Sequence, residues 1–307
     1  MNHLLDGAML LCGLAALVYG SDRAVTSATA IARSLGVSVF FIGVTLVAIG
    51  SSLPEIATSI YAAAYGAGDL LVGHIVGSAT SQITLGIGIV ALVSPLSLAR
   101  EKVRTYGGGM MAAMGAMLVV LWSGDVTRIE GVVLALGYLG FVLVRYEHAD
   151  YRDDVTRIAD PNDVSHPLVW LAVGIGFVVA GGHLLVTGAT ALATDLGTPD
   201  YLLGLVTGLG TTAPEIAIAA LAVYRGQSGI AVGTLFGSNI TDPLFSLGVG
   251  AAVGGVQVAH RSAAVTSVAY MLVASAAVVA VFYHRERVGR MDAMGCLLLY
   301  VPTFVFV

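Results

Sequence analysis

Lysine is all but missing from this chain. Lys102 is the one copy in 307 residues, and charged side chains of every kind make up 11%. A soluble domain of this size carries roughly a quarter charged residues. So few basic groups leave no patch on which to gather nucleic acid. Cysteine is scarce too: Cys12 and Cys296 stand near opposite ends, each inside an apolar run, which argues against a disulfide framework and against a thiolate metal site. The first residues lack the basic stretch of a cleavable leader, so the first apolar run is expected to persist as a helix. No Gly-x-Ser-x-Gly elbow and no nucleophile with a convincing base is found, so neither an enzyme nor a bound cofactor is expected.

What the chain has instead is apolar length: 57% hydrophobic residues and 39 glycines. Ten segments can be drawn, at about 4–33, 37–65, 70–97, 103–122, 129–147, 168–194, 199–224, 229–256, 263–283 and 291–306. Several exceed the roughly 20 residues that cross a bilayer, so tilt or breaks are expected. The fold class is therefore all-α, a polytopic membrane protein of about ten transmembrane helices, in contact with lipid. With the N-terminus outside, Arg33, Arg100, Lys102, Arg104, Arg145, Arg152, Arg157, Arg225, Arg285, Arg287 and Arg290 fall on the cytoplasmic side, against only Arg128 and Arg261 opposite. That asymmetry places both termini outside the plasma membrane. The one sizeable polar connector, Tyr151 to His166 with Asp153, Asp154, Asp160 and Asp163, reads as a solvated acidic linker. It divides the chain into a first membrane repeat (1–148), a linker (149–167) and a second repeat (168–307).

The halves are copies. A shift of 160 residues aligns 50–88 with 210–248 without a gap, matching Gly50, Pro54, Glu55, Ile56, Gly73, Gly77, Ser78 and Gly88 to identical partners. Upstream, a shift of 161 matches Ala28-Thr29-Ala30 to Ala189-Thr190-Ala191. Five helices per half is an odd number, so the halves insert with opposite topology, the build of a secondary transporter.

Inside the aligned region lie Gly50-Ser51-Ser52-Leu53-Pro54-Glu55 and Gly210-Thr211-Thr212-Ala213-Pro214-Glu215. Pro54 cannot donate to the carbonyl of Gly50, so the helix should loosen over 48–52 and free carbonyl oxygens at membrane depth. Ser51 and Glu55 are spaced i, i+4, as are Ser78 and Gln82 in the next segment. The second half repeats this with Thr211 and Glu215, then Ser238 and Asp242. Such hard oxygens suit Ca²⁺, Na⁺, Mg²⁺ or Mn²⁺. A carboxylate at the bilayer centre costs several kcal/mol unless a cation, a proton or a basic side chain neutralises it. No arginine or lysine stands near enough in these segments, so small inorganic cations are the expected partners.

At these residues, and at Gly237-Ser238-Asn239-Ile240-Thr241-Asp242, the chain resembles the sodium/calcium exchanger branch of the calcium/cation antiporter superfamily, prokaryotic type. The resemblance implies an antiporter that exchanges Ca²⁺ for Na⁺ by alternating access, with no oligomer required. Glu55 and Glu215 would ligate the divalent ion and share in sodium binding, with Asp242 tuning the charge. Ser51, Ser52, Thr211, Thr212, Ser78 and Ser238 would supply hydroxyl oxygens, and Ala48 and Gly208 backbone carbonyls. The first and sixth segments would slide past the second, third, seventh and eighth. Proton-coupled Ca²⁺ exchange, Mg²⁺ or Mn²⁺ export, and a cation channel stay open as alternatives.

The family pattern is broken in the first half. Where it has Gly-Asn-x-x-Gly-Ser-Asn-x-x-Asn or Asp, this chain has Gly73-His74-Ile75-Val76-Gly77-Ser78-Ala79-Thr80-Ser81-Gln82. Gln82 keeps an amide on a longer stem, and Ala79 lacks the polar group that Asn239 keeps. His74 is expected either to hydrogen-bond a neighbouring helix or to couple protons. Asp22 should face a polar seam and Arg23 snorkel outward, while Met110, Met111, Met114 and Met117 read as packing. Gly73, Gly77, Gly233 and Gly237 read as sites of close helix contact.

Overall fold

The computed structural model describes residues 3–146, 165–195 and 212–303. The linker aspartates, Gly208 and Thr211 lie outside the described residues. In chain order the helices are α1 (His3–Leu35), α2 (Val39–Ser51), α3 (Leu53–Ala64), α4 (Gly68–Val93), α5 (100–121), α6 (Arg128–Tyr146), α7 (Pro167–Asp195), α8 (Ala213–Tyr224), α9 (228–254), α10 (Arg261–Arg285) and α11 (Arg290–Leu298). Among the described residues five are long and apolar enough to cross a membrane, six if the bent pair α2 and α3 is one span. At 33 residues α1 is about 50 Å long, against a hydrocarbon core of about 30 Å. Where the chain is described the expected segments hold within a few residues, except that 94–97 and 255–256 are not helical and the last helix stops at Leu298; of the segment expected at 199–224, the part before 212 lies outside the described residues.

Four two-residue strands form two antiparallel ribbons: β1 (Leu96–Ser97) with β4 (Arg287–Val288), and β2 (Asp125–Val126) with β3 (Val256–Gln257). β1 and β3 are 160 residues apart and therefore equivalent. They sit at opposite ends of the bundle, because β1 precedes α5 and its neighbour ribbon begins where α5 ends. Equivalent loops at opposite ends are what inverted repeats require.

Glycine sets the closest approaches. A Cβ on Gly20 of α1 would fall 2.5 Å from the carbonyl oxygen of Gly174 in α7, and one on Gly181 would fall 2.8 Å from that of Gly13. Gly13 and Gly174 are equivalent, as are Gly20 and Gly181, so the crossing repeats itself about a two-fold axis. Gly233 and Gly237 of α9 meet the backbone of α2 at Phe40 and Val44 in the same way. Gly73 and Gly77 have no such neighbour among the described residues, so only the second-half pair shows the expected packing. Water release does not drive helix pairing in lipid, and contacts of this kind supply the association instead.

Lipid-facing apolar residues cover the outside, with Ile129, Val133, Leu136 and Leu143 of α6 all exposed. Met110, Met114 and Met117 are fully buried packing residues, and Met111 is half-buried. The two cysteines are free, Cys12 exposed and Cys296 buried. Asp22 pairs with Arg225 at the end of α8. Arg23 does not reach outward unaccompanied: its guanidinium lies over Tyr19 at 5.3 Å and Trp170 at 5.2 Å.

Candidate cation site

The break between α2 and α3 carries the site. The two helices bend by 48° around Ser52, whose φ and ψ of −80° and 12° leave the helical run. The carbonyl of Ala48 is not freed, because it keeps two donors, the N–H of Ser52 at 2.9 Å and Oγ of Ser51 at 3.2 Å, and a wide turn over Gly43–Val47 loosens the helix just before the break. Pro54 and Glu55 then fall in the first turn of α3, as Pro214 and Glu215 do in α8. The free N–H groups there favour a negative charge, and each carboxylate turns back towards its own backbone N–H. Ser52 and Thr212 occupy the N-cap positions, yet neither side chain caps its helix. A serine or threonine there ordinarily does. Oγ of Ser52 has no hydrogen-bond partner among the described residues.

Across from these helix ends, α4 and α9 contribute Ser78, Gln82, Ser238, Asn239 and Asp242. Gln82 and Asp242 each open a wide π-type turn, 82–86 and 242–246, in which the N–H of Ile87 and of Leu247 reach back five residues. Pro243 follows Asp242 but Ile83 follows Gln82, so proline is not the cause of the wide turn. Such turns are rare and cluster at functional sites.

Ser51, Ser52, Glu55, Gln82, Thr212, Glu215, Ser238, Asn239 and Asp242 are completely buried, and Ser78 nearly so. Among the described residues no lysine or arginine is buried with them. Ser78 donates to Oε1 of Glu55 at 3.1 Å and accepts from Nε2 of Gln82 at 3.0 Å. Gln82 also donates to Oδ2 of Asp242 at 3.3 Å, and Ser246 donates to Oδ1 of Asp242 at 3.3 Å. Ser51 lies beside Glu215, and Ser52 beside Asp242. Oε2 of Glu55, both oxygens of Glu215, Oγ of Ser238 and Oδ1 of Asn239 have no hydrogen-bond partner among the described residues. Buried acceptors left open cost about 1–3 kcal/mol each, more when charged.

Glu55 feels the charges of both Glu215 and Asp242. Even so, among the described residues no three acidic, histidine or cysteine side chains converge closely enough to hold one metal. A cation here would meet two carboxylates and neutral oxygens. The amide oxygen of Gln82 is already taken, by Nδ2 of Asn239 at 3.0 Å. His74 is partly buried with Nε2 unpartnered, so the expected bond to a neighbouring helix is not seen among the described residues. Ser246 was not anticipated, although its i, i+4 spacing from Asp242 was a usable signal. A cavity of about 550 Å³ opens at one end of the bundle, lined by Phe40, Ser97, Lys102, Gln227 and Glu286, and contains none of the site residues.

Comparison with known proteins agrees over the whole chain. Residues 6–147 and 166–307 match the family profile described as sodium/calcium exchanger protein. A putative antiporter, CaxA of Alkalimonas amylolytica, is 33% identical over 94% of both chains. Sodium/calcium exchanger MaX1 of Methanosarcina acetivorans is 28% identical over 97% of both. A solved structure of the sodium-calcium exchanger NCX_Mj, soaked with Na⁺ and Sr²⁺, superposes with a TM-score of 0.84 at 28% identity over 99% of each chain.

Proposed function

The chain belongs to the sodium/calcium exchanger protein family, and from that premise we propose that it exchanges Ca²⁺ for Na⁺ across the cell membrane by alternating access. One observation carries the reading. Among the described residues, two fully buried glutamates from equivalent helix ends bring carboxylate oxygens without hydrogen-bond partners into an interior that holds no lysine or arginine.

Glu55 and Glu215 ligate Ca²⁺ and take part in binding Na⁺. They cannot serve a full sodium load and a calcium ion together, and that competition produces exchange. Ser51, Ser52, Ser78, Thr211, Thr212 and Ser238 add hydroxyl oxygens, with the carbonyls of Ala48 and Gly208. Asp242, flanked by Gln82, sets the charge of the site. Residues 1–148 and 168–307 form the two membrane repeats, joined by a cytoplasmic linker, with both termini outside. The unit of transport is the single chain in lipid.

The test is divalent uptake into proteoliposomes loaded with sodium, against vesicles loaded with choline at matched pH. Calcium entry only with internal sodium is the expected result. Uptake driven by a pH gradient and indifferent to sodium would move the protein to proton coupling, and uptake without any counter-ion would make it a channel.

A further inference from the structure

Positions 82 and 242 are equivalent in the two repeats, and their side chains bond to each other across the two-fold axis. The Gln82 amide is oriented by its partners. Nδ2 of Asn239 donates to the carbonyl of Leu235 at 2.9 Å, which fixes that amide, and donates also to Oε1 of Gln82. The nitrogen of Gln82 is then left for two acceptors, Asp242 and Oγ of Ser78. Since Ser78 accepts there, its hydroxyl hydrogen is directed to Glu55. Donors therefore run one way, from Asn239, anchored on the Leu235 carbonyl, through Gln82 and Ser78 to Glu55. An amide with both ends committed cannot flip without losing bonds at each.

The other repeat has no such path. Ala79 stands opposite Asn239 and has nothing to donate, Asp242 has no N–H to offer Ser238, and Ser238 makes no bond to Glu215. Among the described residues the same fold thus ties Glu55 into this path, while Glu215 lies beside Ser51 and outside any such path.

Resting on the exchanger reading, we propose that Gln82 is a positioning residue that makes the two glutamates unequal. Acting through Ser78, it fixes Glu55 before an ion arrives, while Glu215 is oriented by the ion itself. Its N–H groups also face Asp242 where a cation would otherwise approach, so that edge of Asp242 is closed to transported ions.

A double-mutant cycle on the full-length protein tests this, using calorimetric Ca²⁺ titration in detergent and sodium-dependent uptake in vesicles. Gln82→Met keeps the shape and removes the donors, and Ser78→Ala removes the intermediary. Each is expected to weaken Ca²⁺ binding about tenfold, as loss of a hydrogen bond to a charged group does. Together they should also cost about tenfold, with one ion still bound per chain, because Gln82 acts through Ser78. Gln82→Met combined with Ser238→Ala should instead multiply.

Independent effects of Gln82→Met and Ser78→Ala, or unchanged binding in Gln82→Met, overturn the proposal. Loss of a monodisperse peak on size exclusion marks a folding defect, and Gln82→Leu then takes the place of Gln82→Met in the cycle. Binding by the wild-type chain without sodium-dependent uptake overturns the exchange reading alone, and no binding at all overturns both.

Discussion

The two arms of the site use nearly the same side chains and leave them in different conditions. On the α3 and α4 arm, Glu55, Ser78 and Gln82 are joined by hydrogen bonds of 3.0 and 3.1 Å. On the α8 and α9 arm, Glu215 and Ser238 have none among the described residues. Glu55 and Glu215 share the helix end, the preceding proline and complete burial, so backbone geometry does not separate them. Three substitutions between the repeats do: Ala79 for Asn239, Gln82 for Asp242, and Gly86 for Ser246. Duplication supplies the scaffold, and a handful of side chains assigns the work within it.

Removing either carboxylate should erase the distinction between the arms. Glu55→Gln and Glu215→Gln are each expected to reduce sodium-dependent calcium uptake about a hundredfold or more, at the upper end of what one charged contact contributes. Transport retained in one of them would make the site one-sided in a stronger sense than described.

Crowding the seam between α1 and α7 comes next. Gly20→Val places a side chain into the Gly174 backbone and should cut the transport rate about tenfold or unfold the chain, since overpacking costs about 1–3 kcal/mol. Gly7→Ala, where a Cβ meets nothing within 4 Å, is the matched silent control.

The arms themselves separate in a third comparison. Ser78→Ala breaks a bond to Glu55 and should raise the calcium KM about tenfold, whereas Ser238→Ala breaks none and should raise it about threefold. Equal effects would mean that the hydrogen-bond asymmetry has no bearing on affinity.

The smallest change is expected at the half-exposed Asp22 and Arg225 pair. Asp22→Asn should alter stability by about 0–1 kcal/mol, less at high salt, read from thermal unfolding in detergent.

Much of this was legible beforehand. The 160-residue repeat and the two Pro-Glu steps are local and periodic, and they located the helix break at Ser52, the buried glutamates and the inverted halves. Three features were not. The break leaves the Ala48 carbonyl tied, because the N–H of Ser52 still reaches it, and a wide turn at Gly43–Val47 precedes it. The wide turns at Gln82 and Asp242 leave no mark in hydropathy. Whether the Gln82 oxygen or nitrogen faces the carboxylates depends on Asn239, 157 residues away. Spacing rules carry as far as one helical turn, and such networks are assembled across helices. Asp22 lacked a visible partner for the same reason, since Arg225 comes from the other repeat.

The two short ribbons have a mechanical meaning beyond marking topology. Each stitches a loop of one repeat to a loop of the other, at opposite ends of the bundle. Neither involves α1 or α7, which meet each other along glycine backbones and through Tyr19 against Phe177 and Arg23 over Trp170. The lacing therefore ties the two repeats together at both ends and leaves the α1 and α7 pair outside it. Spin labels on the two ribbons should keep one separation whichever ion is supplied, while a label on α1 changes its distance to both.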